Sequence, residues 1–388
     1  MPSPIHVLPV VGTRPEGVKM APLVNLLRAR PDEFRVSLCV TGQHGAMLDS
    51  VMASFGIERY EHDLKIMTQG QTLTQITTRA LEGLEKVLRD EKPDIVLAQG
   101  DTTTVLAASL AAAYQKTAFG HVEAGLRTSD KFDPFPEELN RRLTTQIADL
   151  HFAPTEQSRH NLLREGVSPK AIYLTGNTVI DALRQVTTRR KGQGARSETR
   201  GEGRMILATT HRRENWGAPL ESIARAFATL LERFPDTHLV LPMHANPIVR
   251  EPLQRILGQN PRVRLIEPPD YLGFVRLMEK AHLILTDSGG VQEEAPSLGI
   301  PVLVLRRTTE RPEGVSAGTA TLIGTDESDI VEAASRLLGD DDAYANMSHA
   351  ANPYGDGLAG ERIAGALLHH FGRGARPADF NYNHETHS

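Results

Sequence analysis

Short apolar runs alternate with longer stretches whose apolar residues recur every three to four positions, and this alternation passes through the chain twice. IHVLPVVG at 5–12 reads as a strand, and PEGVKMAPLVNLLRAR at 15–30 as a helix. FRVSLCVTG at 34–42 reads as the next strand. The amphipathic helix TLTQITTRALEGLEKVLRD then leads into the strand DIVLAQG and the small-residue helix TTTVLAASLAAAYQ. LHFAPT and AIYLTGN are two further strands around a helix. A charged, glycine-rich stretch, TTRRKGQGARSETRGEGR at 187–204, reads as a solvated loop near a domain junction. The alternation restarts at MILATTH and ends at PVLVL, residues 301–305. Strands that alternate with helices form parallel sheets covered on both faces. Two series therefore predict an α/β protein of two Rossmann-like domains.

The expected boundaries are 1–177 for the first domain and 178–358 for the second. A helix at about 359–372 is expected to pack back on the first domain, and the polar stretch 373–388 to form a flexible tail. A net charge of −5 and a pI of about 6.3 give no electrostatic reason to expect nucleic acid or an anionic membrane as partner. No run approaches the roughly 18 apolar residues of a membrane span, and the N-terminus lacks a secretory signal pattern. The cytoplasm is the expected compartment. The one cysteine, Cys39, lies inside an apolar run and reads as a buried thiol.

Ligands of open α/β sheets bind beyond the carboxyl ends of the strands. Polar residues gather at such ends in both halves: Gly12, Thr13 and Arg14; Gln99, Gly100 and Asp101; His121 and Glu123; His211, Arg212 and Arg213; His244; and Asp287 through Gly290. This pattern points to a cleft between two domains. In TDSGGVQEEAPSLG, Ser288, Gly289 and Gly290 open a helix whose free N–H groups suit an anion, and a carboxylate one turn in suits ribose hydroxyls. A tight turn with acidic residues complementing the helix dipole fits the same letters. GTRPEGVK offers Arg14 and Lys19 at another helix start; it is neither a Walker A loop nor G-x-G-x-x-G. HRRENWG supplies positive charge of the kind that stabilises a diphosphate leaving group, or a solvated basic turn.

The acidic stretch GHVEAGLRTSDKFDPFPEELNRR, 120–142, matches no metal-ligand spacing. Glu137 fits the first turn of a helix and could pair with Arg141 at i,i+4. Asp130 and Asp133 read as loop surface. Asp101 and Glu123, between glycines at strand ends, are harder to explain as surface; burial near each other and near His211 would suit acid–base work.

Taken in order, GTRPEGVKMAPLV, TGQHGAMLD, QGDTTT, HVEAGLRT, PFPEELNRR, TGNTVIDAL, HRRENWG, LTDSGGVQEEAPSLGIPVLVLRRTTERPEG and NPYGDG resemble the bacterial non-hydrolysing UDP-N-acetylglucosamine 2-epimerases over residues 12–356. The resemblance implies a GT-B-like architecture, no metal, no other cofactor, and a homodimer. It implies interconversion of UDP-N-acetylglucosamine and UDP-N-acetylmannosamine for surface polysaccharide, by elimination and re-addition of UDP through 2-acetamidoglucal. Carried over by motif, Asp101, Glu123, Glu137 and His211 are the expected catalytic group. Arg14, Lys19, Phe274, Ser288, Gly289, Gly290, Glu294 and Arg311 are the expected UDP-sugar contacts, with Glu294 on the ribose and Phe274 near the uracil. Some relatives bind a second UDP-N-acetylglucosamine as activator, and Gln43, His44, Arg212 and His244 match that site. This chain departs from those relatives at Ala46, where they have a polar side chain, and in MTQGQTL, which lacks an Arg they carry near residue 69; Pro269 replaces a polar residue found near the uracil in some relatives. Other readings of the same letters are an epimerase of a modified UDP-sugar, a hydrolysing epimerase, a GT-B glycosyltransferase and a non-catalytic nucleotide-sugar sensor.

Overall fold

A computed structural model of the chain describes residues 3–42, 45–68, 70–128, 130–192, 203–244 and 246–381. The chain divides into two compact units, Met1–Gln185 with Tyr354–Asn381, and Val186–Pro353.

The first unit is built on β1 (Ile5–Val11), β2 (Phe34–Val36), β3 (Cys39–Val40), β4 (His62–Asp63), β5 (Ile95–Gln99), β6 (Ala118–Val122), β7 (Leu150–Ala153) and β8 (Ile172–Leu174). They form one parallel sheet in the order β4-β3-β1-β5-β6-β7-β8, with β2 also on β1. Every residue of β1 and β5 is buried, as expected for central parallel strands covered on both faces. The run 34–42, read as one strand, is two. The Glu61 carboxylate accepts the Leu38 N–H at 2.7 Å and takes that amide out of the ladder. Cys39 is buried as expected, and burial pushes its thiol up to about 12. The small-residue helix Thr103–Tyr114 buries Ala107, Ala108, Ala111 and Ala112, which lets its two neighbouring helices approach.

The second unit holds β9 (Arg204–Thr209), β10 (Thr237–Pro242), β11 (Val263–Ile266), β12 (Leu283–Thr286), β13 (Val302–Val304) and β14 (Ala320–Leu322), parallel in the order β11-β10-β9-β12-β13-β14. A core on one face of this sheet gathers Ile206, Leu241, Leu285 and Leu303 from the strands with Phe227, Leu253 and Ile330 from the helices that cover it. Each such side chain contributes roughly 1.5–3 kcal/mol of burial free energy.

Two expectations change. The stretch 187–204 was expected to be loop from its start, but the helix Thr178–Gly192 runs into it; residues 193–202 lie outside those described. Residues 373–381 were expected to fray, yet they dock on β8. Arg376 donates to the carbonyls of Lys170 and Ile172 and lies 4.2 Å over the Tyr173 ring, and the Phe380 N–H donates to Leu174 O at 2.7 Å. β8 is an edge strand whose carbonyls would otherwise go unpaired, so this segment covers the edge. Residues 382–388 lie outside those described. The helix Ala359–His370 packs on the helix Arg14–Arg28, and the Asp181 carboxylate accepts the N–H groups of Ala359 and Gly360 at its start. Among the described residues no helix is long and apolar enough to cross a membrane.

Candidate active site

In the first unit the candidate residues follow β1, β5 and β6. Glu123 comes immediately after β6 with φ of +64°, a left-handed conformation that a non-glycine residue adopts only where its surroundings hold it. Its neighbour Ala124 donates its N–H to Phe152 O, and its own carboxylate is nearly buried. That carboxylate accepts from Lys19 Nζ at 2.5 Å, from Asn177 Nδ2 at 2.8 Å and from Gln99 Nε2. Lys19, expected as a substrate contact, is thus also the counter-ion of Glu123. Arg14 is the first residue of the helix Arg14–Arg28 and is partly exposed. The backbone start of that helix is already taken. The buried Glu16 carboxylate accepts the Gly12 and Thr13 N–H groups, and burial raises its carboxyl to about 7. Anion binding at this helix start therefore falls to side chains rather than to these two amides.

Asp101 follows β5 by one turn. The sequence pairs Arg141 with Glu137; the structure pairs it with Asp101 at 2.6 Å and with Glu138 at 2.9 Å. Glu137 is the first residue of the helix Glu137–Ile147 and stays partly exposed, whereas Glu138 is fully buried. His121, placed after a strand by the sequence reading, lies inside β6, buried and next to His151 of β7 in register. Its Nε2 lies 2.7 Å from Gly100 O, and burial drives its ring down to about 4, so it is neutral at physiological pH.

In the second unit the candidates follow β9, β10 and β12. His211 Nδ1 lies 2.8 Å from the Asp287 carboxylate, which is wholly buried. Asp287 also accepts the N–H groups of His211 and Arg212 and Asn215 Nδ2. Burial alone would raise the Asp287 carboxyl; the His211 ring and these donors more than offset it and hold it below the usual range. The pair places a proton on Nδ1 and leaves Nε2 to exchange protons. The sequence reading put Asp287 at a strand end but gave it no role. The one available signal was the TDSGG motif itself.

Ser288 immediately precedes the short helix Gly289–Glu294 without a capping bond from its side chain. Gly289 lets the Arg311 guanidinium come close: a Cβ there would meet Arg311 Nη1 and push that side chain aside. Arg311 is fixed by Glu293 at 2.7 Å and Glu310 at 2.8 Å. Burial opposes ionisation of Glu310, but Arg311, Arg306 and Arg212 together hold its carboxyl down to about 2. Glu294 accepts the Tyr271 hydroxyl at 2.7 Å, and Phe274 lies on the first turn of the same helix as Tyr271. Of the residues matched to an activator site, Arg212 reaches Glu310 at 3.2 Å and His244 Nδ1 accepts the Asn246 N–H; Gln43 and His44 lie outside the described residues. Among the described residues no cluster of three or more His, Cys, Asp or Glu side chains is placed to hold a metal ion.

The first unit thus presents the buried, anchored Glu123 carboxylate and the ion-paired Asp101, and the second a glycine-opened helix start beside a clamped arginine. An α/β enzyme of the isomerase class fits both. Comparison with known proteins names it further. The UDP-N-acetylglucosamine 2-epimerase family model matches residues 26–368. The UDP-N-acetylglucosamine 2-epimerase of Bacillus subtilis is 53% identical over 378 residues, covering 97% of this chain and 98% of that protein. The UDP-N-acetylglucosamine 2-epimerase of Neisseria meningitidis, solved with UDP-N-acetylglucosamine bound, superposes with a TM-score of 0.85 at 47% identity, covering 94% of this chain and all of that one. S. aureus MnaA, solved with UDP, superposes with a TM-score of 0.87 at 47% identity, covering 97% of this chain and all of that one. The chain belongs to the UDP-N-acetylglucosamine 2-epimerase family.

Proposed function

We propose that this protein interconverts UDP-N-acetylglucosamine and UDP-N-acetylmannosamine. The observation that carries this is the set of groups the two units present: the buried Glu123 carboxylate beside Lys19 in the first, and the His211–Asp287 pair with a clamped Arg311 beside a glycine-opened helix start in the second. The proton on sugar carbon-2 has no adjacent carbonyl to acidify it, so elimination is the easier route. A base takes that proton, the C1–O bond to UDP breaks anti to it, and the C1=C2 bond of 2-acetamidoglucal forms. A proton then returns to the opposite face of carbon-2 as a UDP oxygen re-forms the bond to C1.

On this reading Asp101, Glu123, Glu137 and His211 handle the protons. Arg14, Lys19, Ser288, Gly289, Gly290 and Arg311 hold the diphosphate while it is detached, which is electrostatic stabilisation of developing charge. Glu294 takes the ribose and Phe274 the uracil. The product supplies N-acetylmannosamine units for surface polysaccharide, and the protein works as a cytoplasmic homodimer, a state that light scattering in solution would report. Arg212 and His244, with Gln43 and His44, take a second UDP-N-acetylglucosamine as activator. Conversion of pure UDP-N-acetylmannosamine that is indifferent to added UDP-N-acetylglucosamine would remove that part. The central test is mass spectrometry of acid-quenched reactions. Free UDP and 2-acetamidoglucal in step with epimerisation support the route; epimerisation with neither species formed contradicts it.

A further inference from the structure

The helix Glu137–Ile147 grips Asp101 at three points. Arg141 Nε and Nη2 both donate to Asp101 Oδ2, at 2.9 and 2.6 Å. Asn140 Nδ2 donates to the Asp101 carbonyl at 2.8 Å. Arg141 Nη1 reaches back to Glu138 Oε2 at 2.9 Å, and Glu138 is 0% exposed. Glu138 is itself fixed by Arg142 Nε at 2.8 Å and by the Thr128 N–H at 3.2 Å. The turn before Asp101 is pinned from the other side, since Gly100 donates its N–H to Val122 O and its carbonyl faces His121 Nε2.

A buried Glu138 with Arg142 beside it would already satisfy the helix. Nothing in that pairing requires Nε and Nη2 of Arg141 to be spent on a partly exposed carboxylate 40 residues away in sequence. Both donors fall on Oδ2, which anchors that oxygen and leaves Oδ1 outside the pair. Two donors of one planar guanidinium also set the direction from which Oδ2 is held, which a freely rotating ammonium does not.

We propose that Glu138 and Arg141 are positioning residues that hold Asp101 in register for proton transfer, with Oδ2 as the anchored oxygen and Oδ1 as the working one. This rests on the proposed function, in which Asp101 handles protons.

The test compares the full-length protein with Arg141→Gln, Arg141→Lys, Glu138→Gln and the Glu138→Gln/Arg141→Gln double variant. Two readouts are taken: steady-state epimerisation of UDP-N-acetylglucosamine, and amide hydrogen exchange of residues 100–104. Misplacement of a reacting group by about 1 Å costs roughly 100-fold in rate. Arg141→Gln is expected to lose kcat on that order while KM changes less than about threefold, and to speed exchange across 100–104. Arg141→Lys falls between it and the parent. The double variant is no slower than Arg141→Gln alone, because both residues act through one carboxylate. Unchanged exchange across 100–104, or a kcat within about threefold of the parent in Arg141→Gln, overturns the proposal. So does a fall in kcat matched by equal losses of UDP affinity and thermal stability, which marks a purely structural role. A parent protein that does not epimerise UDP-N-acetylglucosamine sinks the functional reading instead. The exchange comparison then still decides whether Arg141 holds Asp101.

Discussion

Asp287 decides which nitrogen of His211 is available. An amide at that position could present N–H to the ring and favour the wrong tautomer. Asp287→Asn is therefore expected to lower kcat by roughly 100-fold or more, the scale of a general acid–base contribution. Retained UDP binding, checked by calorimetry, separates this from misfolding. A second residue-scale prediction follows from four buried groups of the first unit. His121 and His151 are both driven down to about 4, so the folded state takes up fewer protons than the unfolded chain between about 4 and 6.5. Their contribution is complete above the unfolded value of 6.5 and is lost as pH falls through that window. At about 1.4 kcal/mol per pKa unit this is at most about 3.5 kcal/mol for each. Glu16, raised to about 7, and Asp181, raised to about 6, work the other way, binding protons on folding and offsetting the loss. Thermal melting of Glu16→Gln is thus expected to weaken more steeply than the parent between pH 7 and pH 4.5, the window between the raised and ordinary values of that carboxyl. Parallel slopes would contradict it. The residue types at these sites were legible in the sequence; their partners were not. His211 and Asp287 are 76 residues apart, Arg141 and Asp101 are 40, and local spacing carries no information on either pair.

At the scale of elements, the helix Gly289–Glu294 works through what its first residue lacks. Gly289→Ala puts a Cβ 2.4 Å from Arg311 Nη1, the movable end of a side chain. The fold survives and the guanidinium shifts. The loss of one charge-assisted hydrogen bond to a phosphate, about 1.5–3 kcal/mol, predicts UDP binding weaker by roughly 10- to 100-fold with little change in melting temperature. Unchanged UDP affinity would detach Arg311 from the nucleotide. The long strands and helices were readable because burial on two faces writes continuous apolar runs, and burial on one face writes a 3.6-residue period. β3 and β4, at two residues each, are too short to write any pattern. The docked segment 373–381 read as a tail because its anchors are an arginine and a backbone amide, which periodicity does not register.

For the whole molecule, two series of alternating elements gave two parallel sheets, and polar residues at strand ends gave two chemically distinct clusters. On the proposed route a base without an anion site has no leaving group to release, and an anion site without a base has no proton to move. The central claim is that carbon-2 loses its proton and regains one from solvent. Incubation with UDP-N-acetylglucosamine in deuterated water, followed by proton NMR, tests it most directly. The account predicts UDP-N-acetylmannosamine carrying deuterium at carbon-2. UDP-N-acetylmannosamine that keeps its original carbon-2 proton, or free N-acetylmannosamine with UDP as the lasting products, would contradict it.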